Sequence, residues 1–306
     1  MAERGETIEI ERHEVKITRP DKVLFPDDGI TKRALVEYYR RIASQMIPYL
    51  RGRPLMLERY PDGVNGARIV QKAASSYYPR WIKTATVKKE GGSLRQVVCE
   101  DAATLAYLAN QALISPHIWL SRVERPDSPD QLIFDLDPSK PDIEPVRETA
   151  HALRDKLERM ALPAYIKATG SRGVHVVVPL KPDVDFDTVR SFARRLAETV
   201  AAEDPKHRTT AQRKTERRGR LFLDTNRNAY AQTAVAPYAV RARKGAPIAV
   251  PIRWDELDSA TFRPDAVTIR SIFDRLKKVD DPWKDFWRNA VSLKRAQAKL
   301  EALRAA

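Results

Sequence analysis

The stretch between residues 131 and 224 constrains the fold of this chain more than any other. Short apolar runs of strand length at 132–136, 164–169 and 174–179 alternate with amphipathic helical patterns at 144–160 and 186–202. A further strand pair is expected at 221–224 and 231–240. Strands joined by both hairpins and helices build a mixed sheet with helices packed on it, so the expected class is α/β or α+β. Upstream, 9–18 reads as extended, and Thr31 is placed to cap a helix. The apolar residues Leu35, Tyr38, Tyr39, Ile42 and Met46 keep that helix's 3.6 period until Pro48. Extended segments at 54–60 and 67–71 flank a Pro61-Asp62-Gly63 turn. Near the C-terminus, Trp283, Phe286 and Trp287 beside a basic helix predict a helical cap on this body.

Membrane and secreted classes are excluded early. The uncharged stretch 102–121 has the length of a membrane span, but Asn110, Gln111, Ser115, Pro116 and His117 interrupt it, which predicts a buried helix ending before Pro116. The single cysteine, Cys99, rules out an intramolecular disulfide and a Cys-based zinc site, and its apolar neighbours predict a buried small hydrophobe. Five glutamates within the first fourteen residues fit neither a secretory signal nor a transit peptide, so a cytoplasmic protein is expected.

The charge is uneven. Residues 51–90 hold nine Lys/Arg against three Asp/Glu, and residues 204–253 hold twelve against three. These windows, at +6 and +9, together exceed the net charge of +14. Between them, 121–147 holds four basic and seven acidic residues. Solvated basic faces would explain the windows alone; a polyanion binder that holds divalent metal explains the acidic island as well.

Three places carry candidate chemistry. In Leu132-Ile133-Phe134-Asp135-Leu136-Asp137-Pro138 an apolar strand ends in two carboxylates two residues apart, and the period of two puts both on one face. Neighbouring carboxylates repel unless a cation neutralises them, which favours Mg²⁺ or Mn²⁺; a turn ending the strand is the plainer explanation. In Thr169-Gly170-Ser171-Arg172-Gly173-Val174-His175, backbone N–H groups, a hydroxyl and a guanidinium can face one anion. Taken alone, that turn is better read as a glycine-rich hairpin with its histidine in solvent. Arg220-Leu221-Phe222-Leu223-Asp224, after the basic run Arg213, Lys214, Arg217 and Arg218, supplies a third carboxylate of the kind two-metal phosphoryl transfer requires.

Taken in order, Phe-Asp-Leu-Asp-Pro (134–138), Gly-Ser-Arg-Gly-Val-His (170–175), Leu-Phe-Leu-Asp (221–224) and Ala-Pro-Tyr-Ala-Val-Arg-Ala-Arg (236–243) closely resemble the polymerase domain of bacterial DNA ligase D, a member of the archaeo-eukaryotic primase superfamily. Similarity extends upstream through Asp21-Lys22-Val23-Leu24-Phe25-Pro26, Thr31-Lys32, Arg53-Pro54 and Tyr60-Pro61-Asp62-Gly63, and covers about 10–290. The resemblance implies a primase-like fold: a smaller N-terminal α/β module (about 1–120), an RRM-like catalytic module with a mixed or antiparallel sheet (121–255), a C-terminal helical cap (256–306), and an active site between the modules.

It also implies roles. Asp135, Asp137 and Asp224 would hold two Mn²⁺ or Mg²⁺ ions. Ser171, Arg172 and His175 would grip a nucleoside triphosphate, with Arg241 and Arg243 on the nucleotide and His117 near its sugar, where the family favours ribonucleotides. Lys22 and Lys32 would hold the 5′-phosphate of a gap or broken end, and Arg59, Ile69, Val70 and Lys72 would meet the template. The implied activity is nucleotidyl transfer that fills gaps and extends 3′ ends in non-homologous end joining. A DNA ligase, the Ku end-binding protein and the bacterial nucleoid are its implied setting, with no membrane.

The chain departs from the family pattern in three places. Ile69-Val70 stands where relatives carry two phenylalanines that stack on the template base, which implies a weaker grip or a role for Tyr77, Tyr78 or Trp81. Arg172 replaces a common lysine and keeps the charge. No Lys-x-Asp-Gly ligase motif is present, so the chain is a stand-alone polymerase or an excised domain. Two other readings compete. A non-catalytic DNA-end-binding module needs the basic windows but gains nothing from three carboxylates. An Asp-x-Asp glycosyltransferase explains the acidic pair but not the basic windows.

Overall fold

The computed structural model describes residues 5–305; the first four residues of the acidic N-terminal stretch and Ala306 lie outside them. The chain forms two compact units, each assembled from separate stretches. One takes the chain as far as Trp119 together with Thr233–Ala249 and Val267–Ile272; the other takes Leu120–Gln232, Val250–Ala266 and the chain from Phe273 onward.

In the first unit an antiparallel sheet runs in the order Thr233–Val235, Leu113–Trp119, Leu55–Arg59, Ile69–Gln71. The helix Lys32–Leu50 starts where the Thr31 hydroxyl accepts the Ala34 N–H at 3.3 Å, and buries Leu35, Tyr38, Tyr39, Ile42 and Met46 at the expected spacing. Pro48 does not end it: the helix runs to Leu50, because proline's fixed φ suits a helix and only one ladder bond is lost. The tyrosine hydroxyls of this helix tie it to distant backbone, Tyr38 to the Tyr238 carbonyl at 2.6 Å and Tyr39 to that of Ile114 at 2.5 Å.

The 102–121 stretch is only half helix. Asp101 caps the helix Ala102–Asn110, Ala112 turns at a φ of 59°, and the remainder enters the sheet as Leu113–Trp119 with Pro116 inside it. Among the described residues no helix is long and apolar enough to cross a membrane. Cys99 is fully buried, as its neighbours predicted, and burial pushes its thiol up.

The second unit is built on a six-stranded sheet in the order Arg208–Thr209, Leu221–Asp224, Gln131–Asp137, Val174–Pro179, Tyr165–Ala168, Val250–Ile252. Every pairing is antiparallel except the edge pair Arg208–Thr209 with Leu221–Asp224. The expected pairing of 221–224 with 231–240 does not form: Leu221–Asp224 adds to Gln131–Asp137, whereas Thr233–Val235 joins Leu113–Trp119 in the other unit. The positive φ of Ala231 and Tyr238, 59° and 65°, breaks the long strand at both ends.

The helices Glu144–Arg159 and Phe186–Glu203 pack on this sheet and on each other. The second is capped by Asp185 and buries Phe186, Val189, Phe192, Leu196 and Val200. In the central strand Leu132, Phe134 and Leu136 are fully buried on one face, and the alternation turns Asp135 and Asp137 to the other. Truncating any of these three to Ala would cost about 2–5 kcal/mol. From the C-terminal segment, Trp283 stacks on Phe286 at 4.7 Å and donates its Nε1–H to the Ile166 carbonyl at 3.0 Å, which docks the cap on the sheet.

Candidate active site

Antiparallel register assembles the site. Lys167 lies opposite His175, His175 opposite Asp135, and Asp135 opposite Asp224, so four ionisable side chains form a row across four adjacent strands on one face. Asp137 lies two residues along the same face, opposite Phe222. The three carboxylates predicted from sequence are thus brought to one face, at the end of the sheet where the Gly170-Ser171-Arg172-Gly173 turn folds over.

Each carboxylate has a distinct electrostatic setting. Burial alone would raise Asp135, but His175 Nε2 at 3.5 Å and Arg227 Nε at 3.5 Å outweigh it and hold the carboxyl down at about 2. Burial lowers His175 to about 4, and the nearby Lys167 and Arg227 cations reinforce this against the pull of Asp135. At neutral pH the imidazole is therefore uncharged, and the Arg227 guanidinium is the cation on Asp135. The Nδ1 atom of His175 is buried and has no hydrogen-bond partner among the described residues, so it is open to an incoming polar group. Asp224 is raised, by burial first and then by the charge of Asp135, although it accepts the Asn226 N–H at 2.8 Å.

Asp137 is more open and meets two guanidinium groups, Arg172 at 3.1 Å and Arg217 at 3.7 Å. Arg217 is braced there by the Phe222 ring, 3.7 Å beneath it. Glycine at 173 is dictated by contact: an added Cβ would fall 1.8 Å from the Leu136 carbonyl oxygen. That close approach presses the turn onto the end of the aspartate strand and brings Arg172 to Asp137. The Thr169 hydroxyl and N–H both bond the Gly173 carbonyl and close the turn, and Gly170 adopts a φ of 64°. Ser171 sits partly exposed at its tip.

Among the described residues, no three acidic, histidine or cysteine side chains are gathered closely enough to hold a metal ion as they stand. The donor set nevertheless fits a hard divalent cation. All three carboxylates are oxygen donors on one face, Asp224 records the repulsion of its neighbour, and guanidinium groups meet the charge on Asp135 and Asp137.

The remaining predicted residues lie in the other unit. His117 sits on Leu113–Trp119 with its Nε2 at 3.6 Å from the buried Glu58 carboxylate, which Arg68 also engages at 2.7 Å. Arg59 is held by the Gln111 carbonyl at 2.7 Å and the Gln71 side chain at 2.6 Å. Ile69 and Val70 are 44% and 47% exposed on the adjacent edge strand, and Lys72 is exposed beyond them. Of the aromatic alternatives, Tyr78 is buried and Trp81 stacks on His13 at 4.4 Å, which leaves Tyr77, 61% exposed.

Arg241 and Arg243 follow the Tyr238 turn, where their backbones bond each other at 2.8 Å. Lys22 and Lys32 are brought together by the bond from the Lys32 N–H to the Lys22 carbonyl at 2.8 Å. Lys22 pairs with Asp62 at 3.1 Å, and Lys32 is buried with its ammonium on the Thr18 hydroxyl at 3.3 Å. Sequence reasoning missed Glu58, Lys167 and Arg227; for Lys167, a lone charge inside an apolar strand was the signal available.

The geometry accords with what comparison finds. A family model described as the LigD primase-polymerase domain matches residues 31–283. The chain belongs to the LigD primase-polymerase family. It is thereby a nucleotidyltransferase of the primase superfamily, in a family of metal-dependent polymerases, and the glycosyltransferase reading falls. The multifunctional non-homologous end joining protein LigD of Mycolicibacterium smegmatis is 33% identical over 276 residues, covering 89% of this chain and 36% of that protein. The bifunctional LigD of Bacillus subtilis is 29% identical over 277 residues, covering 90% and 44%. The chain thus spans well under half the length of these LigD relatives. The polymerase domain of Mycobacterium tuberculosis ligase D, solved in complex with DNA, superposes with a TM-score of 0.85 at 30% identity, covering 90% of this chain and 99% of that one.

Proposed function

We propose that this chain extends 3′ ends and fills gaps in broken DNA, joining nucleoside triphosphates to a primer with a preference for ribonucleotides. The observation that carries the reading is the placement of Asp135, Asp137 and Asp224 on one sheet face beside the Ser171-Arg172 turn.

In the reaction the primer 3′-oxygen bonds to the α-phosphorus of the triphosphate, the bond to the β-phosphate oxygen breaks, the hydroxyl proton is lost to solvent, and pyrophosphate leaves. Asp135, Asp137 and Asp224 would hold two Mg²⁺ or Mn²⁺ ions. Such ions, when bound, acidify the hydroxyl and neutralise the phosphates. Ser171 and Arg172, on a turn fixed by Gly173, bind the triphosphate. His175 completes this grip from the same sheet face, its Nε2 beside the Asp135 carboxylate. Arg241 and Arg243 supply further positive charge to the nucleotide, and His117, steadied by Glu58, faces the sugar. Lys22 and Lys32 receive the downstream 5′-phosphate, and Arg59, Ile69, Val70 and Lys72 meet the template. A DNA ligase and the Ku end-binding protein, at the bacterial nucleoid, are the proposed partners.

The test is extension of a gapped duplex with and without a downstream 5′-phosphate, comparing ribo- with deoxyribonucleotides in Mg²⁺ and Mn²⁺. Extension should require a divalent ion, be stimulated by the phosphate, and be abolished by Asp137→Ala with DNA binding intact. Extension retained by Asp137→Ala would remove the metal assignment, and indifference to the phosphate would remove the role of Lys22 and Lys32.

A further inference from the structure

Beyond the carboxylate face, the second unit holds a polar pocket of about 270 Å³ beside the Pro138 corner that follows Asp137. Its lining includes Lys140, Lys206 and Arg218, all exposed and none with an ion pair or hydrogen bond among the described residues. The one carboxylate in the lining, Asp142, already accepts the Glu144 N–H at 3.1 Å. Three unneutralised cations gathered on one small cavity repel each other, and a bound anion removes that repulsion.

The pocket is built, not fortuitous. Arg220 donates to the carbonyls of Arg217, Glu216 and Pro205 at 2.9, 2.8 and 3.2 Å, and the Ser139 hydroxyl donates to the Arg220 carbonyl at 2.7 Å. These bonds lace three loops together through neutral acceptors and add no counter-charge. Lys140 lies over the Arg218-Gly219 corner, since a Cβ added at Gly219 would meet its Cε at 3.9 Å. Arg218 and Gly219 are held there with φ of 50° and 79°. Pro145, in the first turn of the helix Glu144–Arg159, also lines the pocket, and the Asp142 carboxylate is turned to that helix's first N–H.

We propose that this pocket is a phosphate site for a nucleic-acid strand, taking one phosphodiester of the DNA on which the chain acts; the inference rests on the DNA-extending function proposed above. The one aromatic ring in the lining, His207, is held by Asp204 at 2.9 Å, and no Phe, Tyr or Trp offers a face for a base, which favours phosphate over nucleobase. Binding here anchors the strand on the second unit, independently of Lys22 and Lys32 on the first.

The experiment measures gapped-duplex affinity across a salt series for wild type and for Lys140→Gln/Lys206→Gln/Arg218→Gln. Losing one phosphate contact should make the log–log salt slope shallower by about 0.9. The KM for DNA should rise severalfold, with kcat at saturating DNA and the KM for nucleotide unchanged. A charge-retaining Lys140→Arg/Lys206→Arg/Arg218→Lys protein should keep the wild-type slope, which separates charge from folding. Wild-type binding with an unchanged slope in the glutamine variant overturns the pocket alone. So does a variant that loses calorimetric binding of pyrophosphate but keeps the DNA slope, since the phosphate is then not the strand's. Wild-type protein that binds no gapped duplex overturns the DNA reading and this one with it.

Discussion

Each unit places a carboxylate against an imidazole on neighbouring antiparallel strands: half-buried Asp135 with His175 at 3.5 Å in one sheet, buried Glu58 with His117 at 3.6 Å in the other. The surroundings make them different devices. Beside Asp135 the sheet sets a second carboxylate, Asp224, raised by its burial and then by the charge of Asp135, and a His175 ring nitrogen with no hydrogen-bond partner among the described residues. Beside Glu58 the chain sets Arg68 at 2.7 Å, with Arg241 near enough to help draw the carboxyl down. The first face gathers three carboxylates, of which Asp224 has no ion pair among the described residues; the second holds one carboxylate beside an imidazole and two guanidinium groups. Clustered carboxylates are relieved by bound cations, whereas a lone paired carboxylate fixes the direction of a side chain.

The comparison can be broken most severely at Gly173. Alanine there would drive a methyl group into the Leu136 carbonyl, so Gly173→Ala should lower stability by about 1–3 kcal/mol or more and detach Arg172 from Asp137. Thermal denaturation together with the KM for nucleotide reads both effects, and a variant with wild-type values of both would show that the turn is not braced on the strand.

A change of similar size but opposite sign is expected in the other sheet. Ile69→Phe/Val70→Phe should restore stacking worth about 1–3 kcal/mol per base, read as tighter binding of template overhangs. No gain would mean that the exposed Tyr77 or another contact already holds the template.

The smallest effect is on pH. Burial raises the Glu58 carboxyl, but His117, Arg68 and Arg241 bring it below its ordinary value, so it contributes stability above the unfolded-state value near about 4.3. That contribution is lost as pH falls through the lower folded-state value. In an acid series of melting temperatures, Glu58→Gln should lack this acid-side loss; an unchanged acid limb would mean that the pair carries no linkage.

How far the sequence could be read depended on whether a feature was local. Asp135 and Asp137 share a face because a strand alternates, and the Gly-bracketed turn before His175 announces itself in six residues. The meeting of Asp135 with Asp224 is different: it requires that Leu221–Asp224 add to Gln131–Asp137, and nothing in either segment states its partner. The same non-locality hid Glu58, Lys167 and Arg227, whose charges acquire meaning only when register sets them beside His117, His175 and Asp135. Pro48 misled in the opposite direction. It reads as a stop, yet it lies inside a helix, where neighbouring bonds carry the backbone past the missing N–H.

If the three-carboxylate face of Asp135 takes divalent cations and the Glu58 pair does not, the direct measurement is a titration with Mn²⁺, with free ion followed by electron paramagnetic resonance, on wild type, Asp135→Asn and Glu58→Gln. Wild type and Glu58→Gln should bind alike, and Asp135→Asn should lose binding. Undiminished binding by Asp135→Asn, or its loss in Glu58→Gln, would contradict the assignment of the metals to the Asp135 face.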